Sequence, residues 1–312
     1  MINGKLLKKV RDKIENIKNI NKLYKIEKEK IDTINLDNVE IKKDKKYGFI
    51  DSSYVNGIIG PYTYVYTRAV IVSEDLYDKI DDIEFFENTF IKSEVGESFD
   101  ITDISSMLAK NLEYKLAKKY YNRYIFIDGS IISDGILYSK FCNKFDDLRV
   151  EERRKEFIEN FEFLLNNGNL LAVAKRILNL DIIKSGKSDM IILMNTFPNE
   201  IFYTNIFETD FNYFFKGKIP EEKLNLFNKK IMIMYFRARY NDHIYRIEGL
   251  DKIGKDNFLE IIKENIYLTS SYPRYLKLAH NECKITNREK NLLESYIKKL
   301  LGFEESVGWD TH

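Results

Sequence analysis

Two stretches of the chain combine runs of apolar, aromatic and β-branched residues with a turn-prone interruption, the pattern of a β-hairpin. The first extends from Tyr47 to Val72 and is interrupted at 56–61, where asparagine, glycine and proline favour a turn. The second, KKIMIMYFRARY followed by HIYRIEGL, has Asn241 and Asp242 at its turn. Each stretch therefore predicts a β-hairpin. Two shorter apolar runs, RYIFID and NLLAVAKR, predict buried strands.

Other stretches repeat their apolar residues every three or four positions, which predicts amphipathic helices. They cover 103–121, 150–166 and three further patterns between 256 and 301. Because helices and strands alternate along the middle of the chain, we expect an α/β fold in which helices flank a sheet. The sequence contains no internal repeat and no low-complexity linker, which favours one main domain.

The N-terminal stretch predicts a lysine-rich helix with an apolar stripe formed by Leu6, Val10, Ile14, Ile17 and Ile20. Such a stripe either packs against its own domain or binds a partner, and we favour packing because most stripes of this kind belong to a core. The predicted organisation is an N-terminal helical extension over 1–46, a main domain over 47–301 and a tail over 302–312.

Composition narrows the class of protein. Of the 312 residues, 44% are hydrophobic and 32% are charged, which excludes collagen-like and broadly disordered chains. The formal net charge of +1 does not by itself indicate a nucleic-acid binder. Basic residues nevertheless concentrate in 1–46 and acidic residues in 74–103. Because the sequence has neither a signal peptide nor an apolar run of about 18–20 residues, we expect a cytoplasmic protein without a membrane span.

The candidate chemistry is that of oxygen ligands. Cys142 and Cys283 lack the spacing of a zinc site, and three histidines are too few for a zinc site that needs several imidazoles. Asp51 and Asp128 each end a predicted strand and precede small residues. This placement presents a carboxylate at the edge of a sheet. The common nucleotide-binding and serine-hydrolase motifs are absent.

Two further residues are candidates for the same site. Glu113, on the helix before the second of these strands, could face the same sheet edge, and His280 could complete the ligand set or lie in the core. Converging carboxylates bind hard cations such as Mn²⁺ or Mg²⁺, and a pair of such ions suits phosphodiester cleavage, because one ion activates water and the other stabilises the leaving oxygen. Aspartate also caps turns very often. Spacing alone therefore leaves a metal site and a set of turn caps as open alternatives.

Six short motifs follow one another along the chain: IDSS at 50–53, LEYKLA at 112–117, IFIDGS at 125–130, LLAVAK at 170–175, YRIEG at 245–249 and SYPRYLKLAH at 271–280. Their order and spacing resemble the NurA nuclease family over residues 47–290. The resemblance implies an RNase H-like mixed β-sheet flanked by helices, with helical additions at both ends. It also implies a manganese-dependent deoxyribonuclease, with Mg²⁺ as a possible alternative metal.

The resemblance extends to biology and to partners. Members of the family resect DNA ends in double-strand break repair, and they act with the hexameric ATPase HerA. The family pattern implies 5′ to 3′ exonuclease activity on DNA, endonuclease activity on single strands, and a homodimer. Two alternatives stay open. The chain could be a non-catalytic RNase H-like docking subunit of a HerA-type ATPase, or an enzyme of the same fold that acts on RNA.

The family's metal ligands match this sequence residue by residue. The resemblance implies that Asp51, Glu113 and Asp128 are metal ligands and that His280 supplies a fourth. The first motif carries Ser52 where the family usually has glycine, so a positive φ at this position would strain the backbone. The catalytic aspartate of the motif is retained.

Other matched or exposed residues are candidates for contacts with DNA. Lys175 resembles the family's strand-end lysine, which could stabilise a phosphate, and Lys184 is its rival. Arg246 and Glu248 match the family's RIE strand, where a structural pair and a DNA contact by Arg246 are equally open. The remaining candidates are Arg274, in the last motif, and Tyr64, which could stack on an unpaired base or pack in an aromatic ladder within the sheet.

Overall fold

The computed structural model describes residues 8–15, 31–42, 45–87, 101–142, 150–175, 181–184, 188–215 and 218–303. In this part of the chain, nine strands form one mixed sheet. The strands are β1 (Tyr47–Ile59), β2 (Tyr62–Val72), β3 (Tyr77–Glu87), β4 (Tyr124–Asp128), β5 (Asn169–Ala174), β6 (Phe202–Tyr203), β7 (Phe207–Asp210), β8 (Lys230–Arg237) and β9 (Tyr245–Leu250). Their order across the sheet is β3-β2-β1-β4-β5-β9-β8-β6, and β7 pairs with β8.

Both predicted hairpins are confirmed. Strands β1 and β2 are antiparallel and meet at the pair Ile59 and Tyr62, and β8 and β9 are also antiparallel neighbours. The apolar runs predicted to be buried strands are β4 and β5. They lie parallel to each other, and β4 is also parallel to β1. Parallel strands in the middle of a sheet are covered on both faces, which explains why these two runs are apolar throughout.

Helices cover both faces of the sheet. The helices are α1 (8–15), α2 (Ile101–Lys119), α3 (Ile131–Cys142), α4 (Glu151–Asn167), α5 (Asp189–Thr196), α6 (Glu221–Leu224), α7 (Lys255–Ile262), α8 (Arg274–Cys283) and α9 (Asn287–Leu300). A π-helical turn, Lys263–Tyr267, continues α7. Helices α2, α3 and α4 share one core cluster with Ile50 and Ile127, whereas α7 and α8 share another with Phe49 and Phe126. Successive strand residues point to opposite faces, so the sheet lies between two helical layers.

The acidic segment contains a strand that the sequence did not lead us to expect. Strand β3 pairs with β2 along its whole length and forms one edge of the sheet. Its charges are paired with neighbouring elements: Asp81 with Arg68 of β2 at 2.7 Å, and Glu84 with Arg153 of α4 at 2.5 Å. Charged side chains are usual on an exposed edge strand because they discourage pairing with another chain.

The N-terminal region only partly follows the prediction. In α1, both Val10 and Ile14 are exposed, so the expected packing of the apolar stripe is wrong for these two residues. The other stripe residues lie outside the described part of the chain. Residues 31–42 pack on the main domain rather than forming a helical extension, because Leu36 is fully buried and Thr33 bridges to Thr204. The C-terminal tail is described only as far as Phe303.

Candidate active site

The site is built where β1 and β4 run side by side. Ile50 pairs in register with Ile127, so Asp51 and Asp128, the next residue of each strand, lie level with each other. Both follow a phenylalanine by two positions, and these rings, Phe49 and Phe126, stack with centroids 4.9 Å apart. Since side chains two residues apart share a face, both carboxylates lie on the face that α8 covers.

Helix α8 brings a histidine to these two carboxylates. His280 Nδ1 lies 2.6 Å from Asp51 Oδ2 and 3.7 Å from Asp128 Oδ2. One ligand atom from each of the three residues falls within 4.8 Å of the others. Asp51 is buried, whereas 40% of the His280 side chain is exposed. We call these three residues the open cluster, because solvent reaches it from one side.

Negative charge accumulates in the open cluster. Burial raises the pKa of Asp51, the charge of Asp128 raises it further, and the hydrogen bond from His280 opposes both effects. The ionised form of Asp51 is therefore disfavoured in the protein alone, and a bound cation would stabilise it. Two carboxylate oxygens and an imidazole nitrogen are donors that Mn²⁺ and Mg²⁺ accept, so the donor set fits a divalent cation.

The strand-end lysine belongs to the same group. Lys175 directly follows β5, and its ammonium lies 2.5 Å from Asp128 Oδ2 and 4.5 Å from the centre of the Tyr272 ring. Its rival Lys184 is exposed, in a short segment where its own backbone adopts a left-handed φ of 56°. Of the two lysines, Lys175 is therefore the one that the fold brings to the open cluster.

Tyr272 is a residue of the site that the sequence analysis missed. Its hydroxyl is buried and has no hydrogen-bond partner among the described residues. Burial raises the pKa of this hydroxyl, and the nearby charges of Asp128 and Asp51 raise it further. Tyr272 lies within the SYPRYLKLAH motif, so the motif pointed to the right segment although it did not single out this residue.

Glu113 lies beside the open cluster, with its carboxylate already engaged. Its side chain is 1% exposed, and it accepts hydrogen bonds from Ser52 Oγ at 2.5 Å and from Lys110 Nζ at 2.6 Å. Burial is the main cause that raises the pKa of Glu113 to about 8, and the charge of Asp51 adds to it. Glu113 is not one of the residues whose ligand atoms lie within 4.8 Å of one another. Its role as a metal ligand stays a prediction.

Ser52 has an extended backbone within β1, and it is not one of the described non-glycine residues with a positive φ. The expected strain at this position is therefore wrong. The hydroxyl that distinguishes serine from glycine here holds one oxygen of Glu113.

Arg246 and Glu248 form a second charged group on the opposite face of the sheet, which we call the closed pair. Their side chains are 2.6 Å apart and fully buried. Glu248 accepts hydrogen bonds from Ser130 Oγ at 2.8 Å and from the backbone N–H of Ile132 at 3.2 Å. These bonds tie β9 to the first turn of α3, directly after Asp128. Of the two open alternatives, the structural pair is confirmed, and the predicted DNA contact by Arg246 is wrong because its side chain is not exposed.

The two remaining DNA-contact candidates differ in exposure. Tyr64 is fully buried, and its hydroxyl donates a hydrogen bond to Glu294 of α9 at 2.6 Å. The predicted base stacking by Tyr64 is wrong, because helix α9 covers this face of β2 and leaves no free ring surface. Arg274 begins α8 and is exposed, with its guanidinium 5.9 Å from the centre of the Tyr275 ring. It is free to contact a ligand, and its role stays a prediction.

The family assignment follows from a comparison with protein-family models. The model described as the NurA domain matches residues 45–285, which is most of the chain. The chain belongs to the NurA family. A comparison with curated protein sequences gave no match. The family match includes both strands that carry the aspartates and the whole of α8.

Solved NurA structures share the fold. The NurA nuclease from Sulfolobus solfataricus superposes with a TM-score of 0.65 at 16% identity, covering 98% of this chain and 100% of that one. A NurA structure bound to dAMP and manganese gives a TM-score of 0.62 at 13% identity, covering 92% and 94%. A NurA structure with manganese gives 0.60 at 14% identity, covering 95% and 97%. At these identities the likeness establishes the NurA fold, a mixed sheet flanked by helices that is consistent with an RNase H-like class. Among the described residues, none of the helices combines the length and the apolar character that a membrane span requires.

Proposed function

We propose that this chain is a metal-dependent DNA nuclease that hydrolyses phosphodiester bonds. The observation that carries the proposal is the open cluster, in which Asp51, Asp128 and His280 bring three ligand atoms within 4.8 Å of one another. Lys175 stands at its rim. Membership of the NurA family supports the proposal, and so does the fold shared with a NurA structure that holds dAMP and manganese.

The residues of the open cluster would hold the cation. Asp51 and Asp128 offer carboxylate oxygens from adjacent strands, and His280 offers a nitrogen from α8. When bound, a divalent cation lowers the pKa of water and stabilises negative charge on phosphate oxygens. We propose Mn²⁺ as the natural metal, with Mg²⁺ as the alternative, because both accept this mixture of oxygen and nitrogen donors.

The other residues of the site would contact the DNA phosphates or orient the metal ligands. The Lys175 side chain is 39% exposed, so its ammonium can turn from Asp128 toward a phosphate oxygen and compensate negative charge that develops there. The ring of Tyr272 lies under this ammonium and limits where it can move. Buried Asp51 accepts a hydrogen bond from His280 Nδ1 and fixes the orientation of the imidazole. Exposed Arg274, at the start of the same helix, is placed to contact the DNA backbone.

The finer activity is proposed from family membership. We propose 5′ to 3′ exonuclease activity on DNA and endonuclease activity on single strands, in the resection of DNA ends during double-strand break repair. The partner is a HerA-type hexameric ATPase, and the active form is a homodimer. Exposed apolar residues on α1, Val10 and Ile14, are consistent with a contact outside this chain.

The test is an assay with end-labelled DNA. Purified protein is incubated with single- and double-stranded DNA, labelled at the 5′ or the 3′ end, in the presence of Mn²⁺, Mg²⁺ or EDTA. We expect metal-dependent cleavage by the wild type, loss of cleavage in Asp51→Ala, and no cleavage of a matched RNA. Absence of cleavage even with a HerA-type ATPase would instead favour the docking-subunit alternative.

A further inference from the structure

Lys110 contacts the active site although no motif pointed to it. It lies one helical turn before Glu113 on α2, and its Nζ is 2.6 Å from Glu113 Oε2 and 3.6 Å from Asp134 Oδ2 of α3. The Lys110 side chain is only 17% exposed, and those of Glu113 and Asp134 are 1% and 6% exposed. A Cβ added to Gly129, the residue after Asp128, would lie 3.5 Å from the same Nζ. The ammonium is thus built into the wall of the site.

The positions of these groups indicate which lysine compensates which carboxylates. Carboxylates from four elements lie in two groups: Glu113 of α2 and Asp134 of α3 lie beside Lys110, whereas Asp51 of β1 and Asp128 of β4 belong to the open cluster. The positive charge of Lys110 compensates the carboxylates of Glu113 and Asp134, and Lys175 pairs with Asp128.

The carboxylate of Glu113 is held at both oxygens. Ser52 Oγ bonds to Oε1 while Lys110 bonds to Oε2. On the other side of the ammonium, Asp134 Oδ2 is buried and lies 3.6 Å from Lys110 Nζ. Burial raises the pKa of Asp134, whereas the charge of Lys110 and the nearby Tyr114 hydroxyl lower it. A buried carboxylate that loses such a partner is left uncompensated, and it then either takes up a proton or binds another cation.

We propose that Lys110 is a fixed cation that takes the role of a second metal ion between Glu113 and Asp134, so that the chain binds one divalent ion, at the open cluster. In this arrangement Lys110 is a positioning residue: it holds Glu113 and sets the number of ions. The inference rests on the proposed function only in assuming that the open cluster binds a divalent cation. It is tested by binding, without DNA.

The experiment is a calorimetric titration of the full-length, EDTA-treated protein with Mn²⁺. The variants are Lys110→Met, which removes the charge, and Lys110→Arg, which keeps it. The matched control is Lys115→Met, since Lys115 lies on the same helix but pairs with Glu156 at 2.7 Å, away from the site. Circular dichroism checks that each variant is folded.

We expect one tight ion per chain for the wild type, for Lys110→Arg and for Lys115→Met. We expect two ions for Lys110→Met, with the second bound at least roughly tenfold more tightly than any second ion in the wild type, because a nearby positive charge has been removed. Two comparable ions in the wild type would overturn the proposal, and so would a single ion of unchanged affinity in folded Lys110→Met. If Lys110→Met does not fold, the stoichiometry of the wild type decides. Absence of any Mn²⁺ binding would instead contradict the proposed function itself.

Discussion

The open cluster and the closed pair lie near each other on opposite faces of the same sheet, but their charges are compensated in different ways. In the closed pair, Arg246 and Glu248 neutralise each other at 2.6 Å, and neither side chain is exposed. In the open cluster, two carboxylates and a partly exposed imidazole each place one ligand atom within 4.8 Å of the others. Charged side chains therefore brace the fold when their charges are matched inside the protein, and they form a candidate binding site when two carboxylates lie together beside a partly exposed imidazole.

The largest effect is expected from removing a charge of the open cluster. In Asp51→Asn we expect Mn²⁺ affinity to fall by more than the roughly 10–100-fold that loss of an outer-shell partner costs, and cleavage to be abolished. The free energy of unfolding in EDTA should not fall, because the variant relieves repulsion with Asp128. Calorimetry and urea unfolding measure the two quantities. A variant that is less stable than the wild type but binds Mn²⁺ with unchanged affinity would show that Asp51 braces the fold and does not bind the cation.

Removing a charge from the closed pair should instead lower the stability of the fold. Glu248→Ala leaves Arg246 buried without its partner, and we expect a loss of about 3–5 kcal/mol in the free energy of unfolding. The double variant Arg246→Met with Glu248→Leu should recover much of this loss, because no unpaired charge is left. Urea denaturation of both variants checks the prediction. A loss below about 1 kcal/mol in Glu248→Ala would show that the pair does not brace the fold.

The two lysines that the sequence left as rivals provide a third test. Lys175→Met should reduce the rate of cleavage by roughly 10²–10³-fold, the cost of losing one donor to a developing charge, with little change in stability. Lys184→Met is the matched control, because Lys184 is exposed and lies outside the open cluster. Single-turnover assays with saturating Mn²⁺ compare them. Equal rates in the two variants would contradict the role given to Lys175.

The smallest effect concerns an aromatic residue outside both groups. Tyr64→Phe removes the hydrogen bond to Glu294 and should cost about 1 kcal/mol of stability. Because the ring is buried, the affinity for single-stranded DNA should not change. Thermal unfolding and fluorescence anisotropy measure the two properties. A clear drop in DNA affinity without loss of stability would restore the stacking interpretation.

Much of this architecture follows from local patterns. Strand-forming runs interrupted by turn residues identified both hairpins, and the apolar runs identified β4 and β5, because buried parallel strands need apolar side chains on both faces. The sequence pattern suggested that Asp51 and Asp128 each end a strand and present a carboxylate at a sheet edge. Asp128 does end β4, whereas Asp51 lies within β1, at the point where β1 stops pairing with β4. The family motifs added His280 and Lys175, which the structure brings to the same place.

Other features depend on contacts between distant segments and leave no local signal. Strand β3 was missed because its acidic residues, paired with Arg68 and Arg153, look like a solvated loop in the sequence. Alternation placed Tyr64 on one face of β2 but could not show that α9 covers that face. Lys110 and Asp134 are charged residues inside helices, and only the packing of α2 against α3 and the sheet gives them a role.

Cleavage is proposed to depend on a divalent cation bound by Asp51, Asp128 and His280. The most direct measurement is an anomalous difference map, collected at the manganese absorption edge from crystals of the protein soaked in Mn²⁺. We expect one strong peak, coordinated by the two aspartates and His280. A strong peak between Glu113 and Asp134 with none at the open cluster, or no peak near either group, would contradict this proposal.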